Sequence, residues 1–314
     1  MKLGFLYAGQ GSQHAGMGAD LYEVYPAFRK VLDGAKPDFD LKKISFEDPD
    51  NVINQTAFTQ PCMVAFAAGV TAVLAEKGIE PAAVAGLSLG EYSALHAAGV
   101  LDAQTAIRTA AFRGRAMEKA AEGKPSAMIA VLGLERDALQ KACDEASDLG
   151  CVVIANDNCP GQLVLGGEKA AVEKAAELAK ASGARRCMPL KVSGPFHTPL
   201  MAPAGAALEE YFKGIEFHAP RMPVLFNCLG DVNRENIPVP ELLVRQVQSG
   251  VHMRETILRM GKLGLDAIVE IGPGKVLSGF VRKTLPGLPC FGVETVEDVE
   301  QLPGRLEELK EKRA

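Results

Sequence analysis

The segment Gly86-Leu87-Ser88-Leu89-Gly90 constrains the fold of this 314-residue chain more than any other stretch. A run of small apolar residues, Ala82–Ala85, precedes it and predicts a buried strand, and Glu91–Ala98 follows it with the pattern of a helix. The two flanking glycines permit a sharp turn, because they carry no Cβ that would clash. Such a turn pushes the serine hydroxyl out of the sheet edge, so Ser88 is a candidate nucleophile. The alternative is that Ser88 only fits a tight turn.

Strands and helices alternate along most of the chain. Leu3–Ala8 and Ala267–Ile271 predict further buried strands, and Tyr22–Leu32, Pro61–Lys77 and Ala103–Ala121 predict helices. This alternation is typical of an α/β fold with a mostly parallel sheet covered on both faces. The C-terminal segment Leu302–Ala314 is rich in charge and predicts an exposed helix.

The segment 126–192 follows a different order of elements. The predicted order is β-α-β-β-α-β, which is that of a ferredoxin-like unit. We therefore predict a small domain, 126–192, inserted into a large domain formed by 1–125 and 193–314. The six elements are Ala127–Leu132, Arg136–Ser147, Cys151–Ala155, Gln162–Leu165, Lys169–Ser182 and Arg186–Val192.

Charge and apolar content exclude several classes of partner. A formal net charge of −5 argues against nucleic acid, which needs a basic face. The longest apolar run, Cys62–Ala75, is too short to span a bilayer, and the N-terminal run is too short for a signal peptide. The seven cysteines include no Cys-x-x-Cys pair, which favours structural thiols in a reducing compartment. We expect a cytoplasmic protein without a metal site.

An activated serine needs a base and donors for the oxyanion. Of the five histidines, His197 stands apart in a loop punctuated by glycine and proline, directly after the predicted insert. Leu89 follows the nucleophile, and the backbone N–H at that position donates to the oxyanion in the usual geometry of this turn. Gln10 lies in the turn after the first strand and is a candidate for the second donor. A simple glycine turn explains that segment equally well.

Six blocks of sequence, in this order, resemble the malonyl-CoA:acyl carrier protein transacylases and the related acyltransferase domains of fatty acid and polyketide synthases. The resemblance covers nearly the whole chain, and several blocks in order are more specific than any one of them. The blocks are Ala8–Gln13, Gly86–Leu95, Arg113–Met117, Asn156–Gln162, Gly194–His197 and Glu270–Gly274.

The resemblance implies a hydrolase-like α/β core with a ferredoxin-like insert. It also implies a catalytic dyad of Ser88 and His197, an oxyanion hole formed by the backbone amides of Gln10 and Leu89, and binding of the malonyl carboxylate by Arg113. The implied reaction transfers a malonyl group from malonyl-CoA to the phosphopantetheine thiol of acyl carrier protein, in fatty acid biosynthesis, through a malonyl-serine intermediate. We further predict a monomer without a permanently bound cofactor.

Two features depart from the family pattern. Most relatives have histidine before the serine, whereas this chain has Leu87, which leaves the acyl selectivity open. Family members commonly orient the catalytic histidine through a backbone carbonyl, and we expect that carbonyl within Gly250–Met253, which lacks the proline and tryptophan often found there. Neither departure removes a member of the dyad.

Three alternative functions remain. A serine hydrolase or thioesterase shares the nucleophile turn and would release free malonate. A discrete polyketide-synthase acyltransferase performs the same chemistry on another acceptor. A non-catalytic subunit that binds carrier protein would form no covalent adduct. Because carrier proteins are typically acidic, we expect a local basic surface that binds them. Ordinary solubility explains the basic residues at least as well. The candidate residues for this surface are Arg185, Arg186, Lys191, Lys275, Arg282 and Lys283.

Overall fold

The computed structural model describes residues 1–123 and 125–312. Its strands, in chain order, are β1 (Leu3–Tyr7), β2 (Pro81–Gly86), β3 (Ser126–Leu132), β4 (Val152–Cys159), β5 (Gln162–Glu168), β6 (Arg186–Pro189), β7 (Leu225–Phe226), β8 (Asp231–Val232), β9 (Val251–His252), β10 (Ala267–Ile271) and β11 (Cys290–Val293). Its helices are α1 (Ala19–Val24), α2 (Pro26–Gly34), α3 (Leu41–Phe46), α4 (Thr56–Glu76), α5 (Gly90–Ala97), α6 (Ala103–Ala121), α7 (Arg136–Ala146), α8 (Lys169–Ala181), α9 (Ala202–Phe212), α10 (Val239–Val247), α11 (Met253–Gly261), α12 (Val276–Thr284) and α13 (Val296–Glu311).

The chain divides into two compact units. The first unit comprises Met1–Gly114, Phe217–Leu225 and the chain from Arg259 onward. The second comprises Arg115–Glu216 and Phe226–Leu258. The second unit contains the predicted insert, 126–192, and extends beyond it, because β9 joins its sheet and α9 packs against α10.

The first unit is built on a parallel sheet with the strand order β11-β10-β1-β2. Every residue of β1 and β10 is buried, as expected for central strands covered on both faces. The predicted parallel sheet is thus confirmed, while its edge strand β11 was not predicted. In register, Tyr7 stands opposite Gly86 and Ile271. The loops after β1, β2 and β10 therefore leave the same edge of the sheet, where ligands bind in α/β proteins.

Helix α4 forms much of the core of the first unit. It begins at Thr56, five residues before the predicted start, and Pro61 lies inside it. A proline at this position supplies no N–H for an intrahelical hydrogen bond, so the first two turns of the helix have one bond fewer. By length and composition α4 is the one helix in the described residues that could cross a membrane, but most of its apolar window is buried within the protein. The prediction of a buried core helix is confirmed.

Two other helices of the first unit differ from the predictions. The predicted helix Tyr22–Leu32 is wrong, because α1 ends before Tyr25 and α2 starts at Pro26. The proline holds Tyr25 extended, at φ −106° and ψ 114°, and itself occupies the first helical position. The C-terminal helix α13 starts earlier than predicted and buries three aliphatic side chains, so it is not simply exposed. Residues 313–314 of the predicted segment lie outside the described residues.

The second unit shows the predicted β-α-β-β-α-β order in β3, α7, β4, β5, α8 and β6. Its sheet has the order β6-β3-β5-β4-β9, in which β3 pairs antiparallel with β5 and β6, and β4 pairs antiparallel with β5. Helices α7 and α8 pack together over the sheet and enclose an apolar core. The strand β9 pairs parallel with β4. All seven cysteines lie within the described part of the chain and are free thiols.

Candidate active site

Ser88 occupies a strained turn between β2 and α5. Its φ is +54°, in the left-handed region that non-glycine residues rarely adopt. A Cβ on Gly86 would lie 2.0 Å from the carbonyl carbon of Gly90, and a Cβ on Gly90 would lie 2.3 Å from the carbonyl oxygen of Tyr7. The spacing of the two glycines is therefore a packing requirement of the turn. The predicted strand–turn–helix context of Ser88 is confirmed.

Two backbone amides at this edge of the sheet are available to a ligand. Leu89 stands at the N-terminal end of α5, where a helix has free N–H groups and a positive dipole end. Gln10 follows β1, and the preceding Gly9 lies against the turn, since its Cβ would be 2.6 Å from the carbonyl oxygen of Leu87. Among the described residues, neither the Leu89 nor the Gln10 N–H donates a hydrogen bond. Both amides can therefore serve an oxyanion.

Arg113 places a buried cation beside the nucleophile. The residue is 1% exposed, and its Nη2 donates to Ser88 Oγ at 3.1 Å. Its guanidinium carbon lies 5.4 Å from the ring centroid of Tyr92, a cation–π distance. Burial lowers the pKa of Arg113, against opposing effects of Tyr92 and Glu91, but a guanidinium remains protonated in proteins. The site thus holds a positive charge next to the hydroxyl.

The first two turns of α4 contact this group. Gln60 Oε1 accepts from Arg113 Nη1 at 2.8 Å, and Thr56 Oγ1 accepts from the side-chain amide of Gln10 at 3.0 Å. Sequence reasoning missed Gln60 and Tyr92. The available signal was a polar pair, Thr56 and Gln60, four residues apart at the start of an apolar helix.

His197 belongs to the second unit, and its tautomer follows from its partner. The residue is 4% exposed, with φ +61°, and its Nδ1 lies 2.9 Å from the carbonyl oxygen of Gln246. A carbonyl oxygen only accepts, so Nδ1 carries the hydrogen. In the neutral ring Nε2 then carries the lone pair that a general base requires.

The expected position of that carbonyl, within Gly250–Met253, is wrong. Gln246 lies in the last turn of α10, where backbone carbonyls have no intrahelical donor and can accept from a side chain. His252, in the expected segment, lies in β9, and its backbone N–H donates to the carbonyl of Asn227. Gln246 was the third functional residue that sequence reasoning missed.

Two of the other histidines have structural partners. His96 is largely buried and its Nδ1 lies 3.1 Å from the carbonyl oxygen of Leu101; burial lowers its pKa. His14 Nε2 lies 2.6 Å from a carboxylate oxygen of Glu294. The structure therefore brings Ser88 together with Arg113, within the first unit, and His197 together with Gln246, within the second.

Comparisons with known proteins show what this chain is similar to. The family profile described as acyl transferase domain matches residues 4–305. The malonyl CoA-acyl carrier protein transacylase of Bacillus subtilis (strain 168) is 41% identical over 302 residues, 95% of each chain. The crystal structure of malonyl CoA-acyl carrier protein transacylase from Clostridium perfringens has a TM-score of 0.95 at 34% identity and covers 99% of this chain and 98% of its own.

A solved complex of a type II PKS acyl-carrier protein with its malonyl-transacylase is also similar. The TM-score is 0.92 at 36% identity, over 96% of this chain and 98% of the matched chain. These matches extend over nearly the whole length, so they confirm the predicted α/β fold class as well as the resemblance seen in the six sequence blocks.

Proposed function

Because the chain belongs to the acyl transferase domain family, we propose that it transfers a malonyl group from malonyl-CoA to the phosphopantetheine thiol of an acyl carrier protein. One observation carries the choice of acyl group: the buried guanidinium of Arg113 lies 3.1 Å from Ser88 Oγ. A malonyl group on that hydroxyl presents its free carboxylate to a planar fork of donors, which binds carboxylates in a bidentate manner. An acetyl group would leave the buried cation without this partner.

In the first half-reaction, Nε2 of His197 removes the proton from Ser88, whose oxygen attacks the thioester carbonyl. The proposal requires Nε2 to approach the hydroxyl to hydrogen-bond distance. The negative charge that develops on the carbonyl oxygen is held by the backbone N–H groups of Leu89 and Gln10. The carbon–sulfur bond then breaks, and the imidazolium gives its proton to the departing thiolate of coenzyme A. Malonyl-Ser88 and free coenzyme A result.

In the second half-reaction, the phosphopantetheine thiol of the carrier protein gives its proton to His197 and attacks the malonyl ester. Collapse of the second oxyanion breaks the ester bond, and His197 returns the proton to Ser88. Kinetics are ping-pong, because coenzyme A leaves before the carrier protein reacts. The Gln246 carbonyl supports both halves by fixing the Nδ1–H tautomer and orienting the ring.

The proposal also covers the cofactor requirement, the cellular location and the oligomeric state of the enzyme. The reaction needs no resident cofactor, since side chains and backbone amides supply every proton transfer and charge contact. We place it in the cytoplasm, in fatty acid biosynthesis, and assign a monomer with no nucleic-acid or membrane partner. The seven free thiols fit a reducing compartment. Light scattering of the purified protein tests the monomer.

The experiment that tests the function is intact-protein mass spectrometry after mixing with malonyl-CoA alone. We expect one added malonyl group, located on the peptide that holds Ser88, and its loss when holo acyl carrier protein is added. The Ser88→Ala variant should remain unmodified, and the His197→Ala variant should acylate far more slowly. A label on another peptide would refute the nucleophile.

The same experiment separates the alternatives. Rapid release of free malonate without carrier protein would indicate a hydrolase, and the absence of an adduct would indicate a non-catalytic binding subunit. Comparing the carrier proteins of fatty acid and polyketide synthesis as acceptors decides between the two pathways. A faster rate with the polyketide carrier would place the enzyme there.

A further inference from the structure

Two polar side chains on the first two turns of α4 contact the candidate site. Thr56 and Gln60 are four residues apart and therefore lie on the same face of the helix. Thr56 accepts a hydrogen bond from the Gln10 side chain, and Gln60 accepts one from Arg113 at 2.8 Å. Gln60 is 1% exposed, so its amide is committed to the interior of the first unit.

The backbone of α4 is fixed against the segment that carries Arg113. A Cβ on Gly114 would lie 2.7 Å from the carbonyl oxygen of Thr56 and 2.9 Å from the Cα of Ala57. Such close backbone packing leaves little freedom for one helix to shift relative to the other. The 2.8 Å contact between Gln60 and Arg113 is therefore set by two helices in direct contact, and it fixes the orientation of the guanidinium plane.

We propose that Gln60 sets the selectivity of the site for acyl groups that carry a carboxylate. Its neutral amide oxygen orients the Arg113 fork while adding no negative charge to it. A carboxylate at position 60 would place a negative charge within 2.8 Å of the same guanidinium, compete with the substrate for it and repel the malonyl carboxylate. An apolar side chain at this position would free the fork to rotate. This inference rests on the proposed malonyl transfer.

The test compares acylation by malonyl-CoA and acetyl-CoA in Gln60→Glu and Gln60→Met variants. We expect the ratio of kcat/KM for malonyl-CoA to that for acetyl-CoA to fall about 100-fold in Gln60→Glu, because a like charge at a buried contact costs several kcal/mol. Gln60→Met should lower the ratio roughly 10-fold, the cost of about one hydrogen bond to a charged group. Acetyl-CoA rates should fall less than malonyl-CoA rates in both variants, so the ratio reports the contact with the carboxylate.

Gln104→Glu is the matched control, since it adds a carboxylate to the same unit on α6, where the glutamine side chain binds the Val31 carbonyl. This control should leave the malonyl-to-acetyl ratio unchanged. Equal losses for both acyl groups in Gln60→Glu would show a merely structural role and overturn the inference. If Gln60→Glu does not fold, Gln60→Met decides by the same criterion. Failure of the wild-type protein to form a malonyl adduct would instead refute the proposed function.

A separate surface of the second unit lies along its edge strand β6. Met188 lies in β6 and Leu190 and Val192 follow the strand, and the three side chains are 41%, 39% and 38% exposed. The strand pairs only with β3 among the described residues, so its other edge is open. Exposed apolar side chains on an open edge are a liability that proteins usually avoid unless a partner covers them.

Charge identifies the partner of this edge surface, residues 185–192. Arg185, Arg186 and Lys191 lie on the same segment, and none of their side chains makes a hydrogen bond or ion pair with a described residue. The combination of unpaired cations with apolar side chains complements an acidic, amphipathic helix. We propose that the acidic acyl carrier protein docks on the edge surface; this too rests on the proposed function.

The test separates docking from chemistry by changing the acceptor. In an Arg185→Glu/Arg186→Glu/Lys191→Glu variant, we expect the KM for acyl carrier protein to rise about 10-fold or more, since three exposed attractive charges become repulsive. Transfer to free pantetheine should be unchanged. Lys180→Glu, on α8 of the same unit, is the control and should not alter the KM. An unchanged KM for the carrier protein in the triple variant would overturn the docking surface, whereas loss of transfer to pantetheine as well would indicate damage to the site.

Discussion

Replacing Arg113 by methionine removes the cation beside the nucleophile while keeping an unbranched apolar side chain in its place. The native guanidinium is 1% exposed and holds Ser88 Oγ and Gln60 Oε1 with its two terminal nitrogens. In the variant, the malonyl carboxylate enters a buried site with no positive partner. The acetyl group, which has no carboxylate, loses no such contact.

The magnitude follows from the bonds that are lost. A bidentate guanidinium–carboxylate pair comprises two hydrogen bonds between charged groups, each worth about 1.5–3 kcal/mol. Removing one partner of a buried ion pair costs about 3–5 kcal/mol, in agreement with that sum. Since about 1.4 kcal/mol corresponds to a factor of ten, kcat/KM for malonyl-CoA should fall roughly 10²- to 10³-fold or more. For acetyl-CoA it should stay within about tenfold of wild type.

The assay is single-turnover acylation of Ser88 by each thioester, with thermal unfolding as a check on folding. Arg113→Lys is the informative companion, because it keeps a positive charge and loses the planar fork. Its malonyl activity should lie between those of the wild type and Arg113→Met. Equal reductions for malonyl-CoA and acetyl-CoA would refute the role of the guanidinium in binding the carboxylate.

Three further predictions concern the scaffold of the site. Gly86→Ala should abolish acylation and lower the melting temperature, because its Cβ would lie 2.0 Å from another backbone carbon, whereas Gly304→Ala, with open space around it, should be neutral or slightly stabilising. The buried carboxylate of Glu270 caps α12, because its two oxygens accept three hydrogen bonds from Leu277 and Ser278. In Glu270→Gln only one side-chain oxygen remains as an acceptor, so the free energy of unfolding, measured by denaturant titration, should fall by about 2–3 kcal/mol. The hydrogen bond to Glu294 raises the pKa of His14, so the stabilisation from this pair is present below the ordinary histidine pKa and is lost as the pH rises through the raised value. In the Glu294→Gln variant, an NMR titration should show the pKa of His14 return towards its ordinary value. An unchanged pKa would contradict the contact.

The elements nearest the nucleophile were predictable because their causes are local. The turn at Ser88 follows from the strand before it, the helix after it and two glycines within five residues. The strand β10 and the helix α6 match their predicted bounds, since the apolar pattern of each is uninterrupted. Where two local signals compete, the prediction was wrong. The apolar periodicity of Tyr22–Leu32 predicted one helix, but Pro26 breaks it into two.

The sequence by itself determined the α/β class of the fold and made Ser88 and His197 candidates for the chemistry, while the family resemblance added Arg113. Only the tertiary structure decided their partners. Arg113 meets Gln60 across 53 residues and His197 meets Gln246 across 49, and neither contact has a periodic signal. Such contacts depend on how helices pack and on which backbone carbonyl at a helix end lacks an intrahelical donor, and a linear pattern does not encode either.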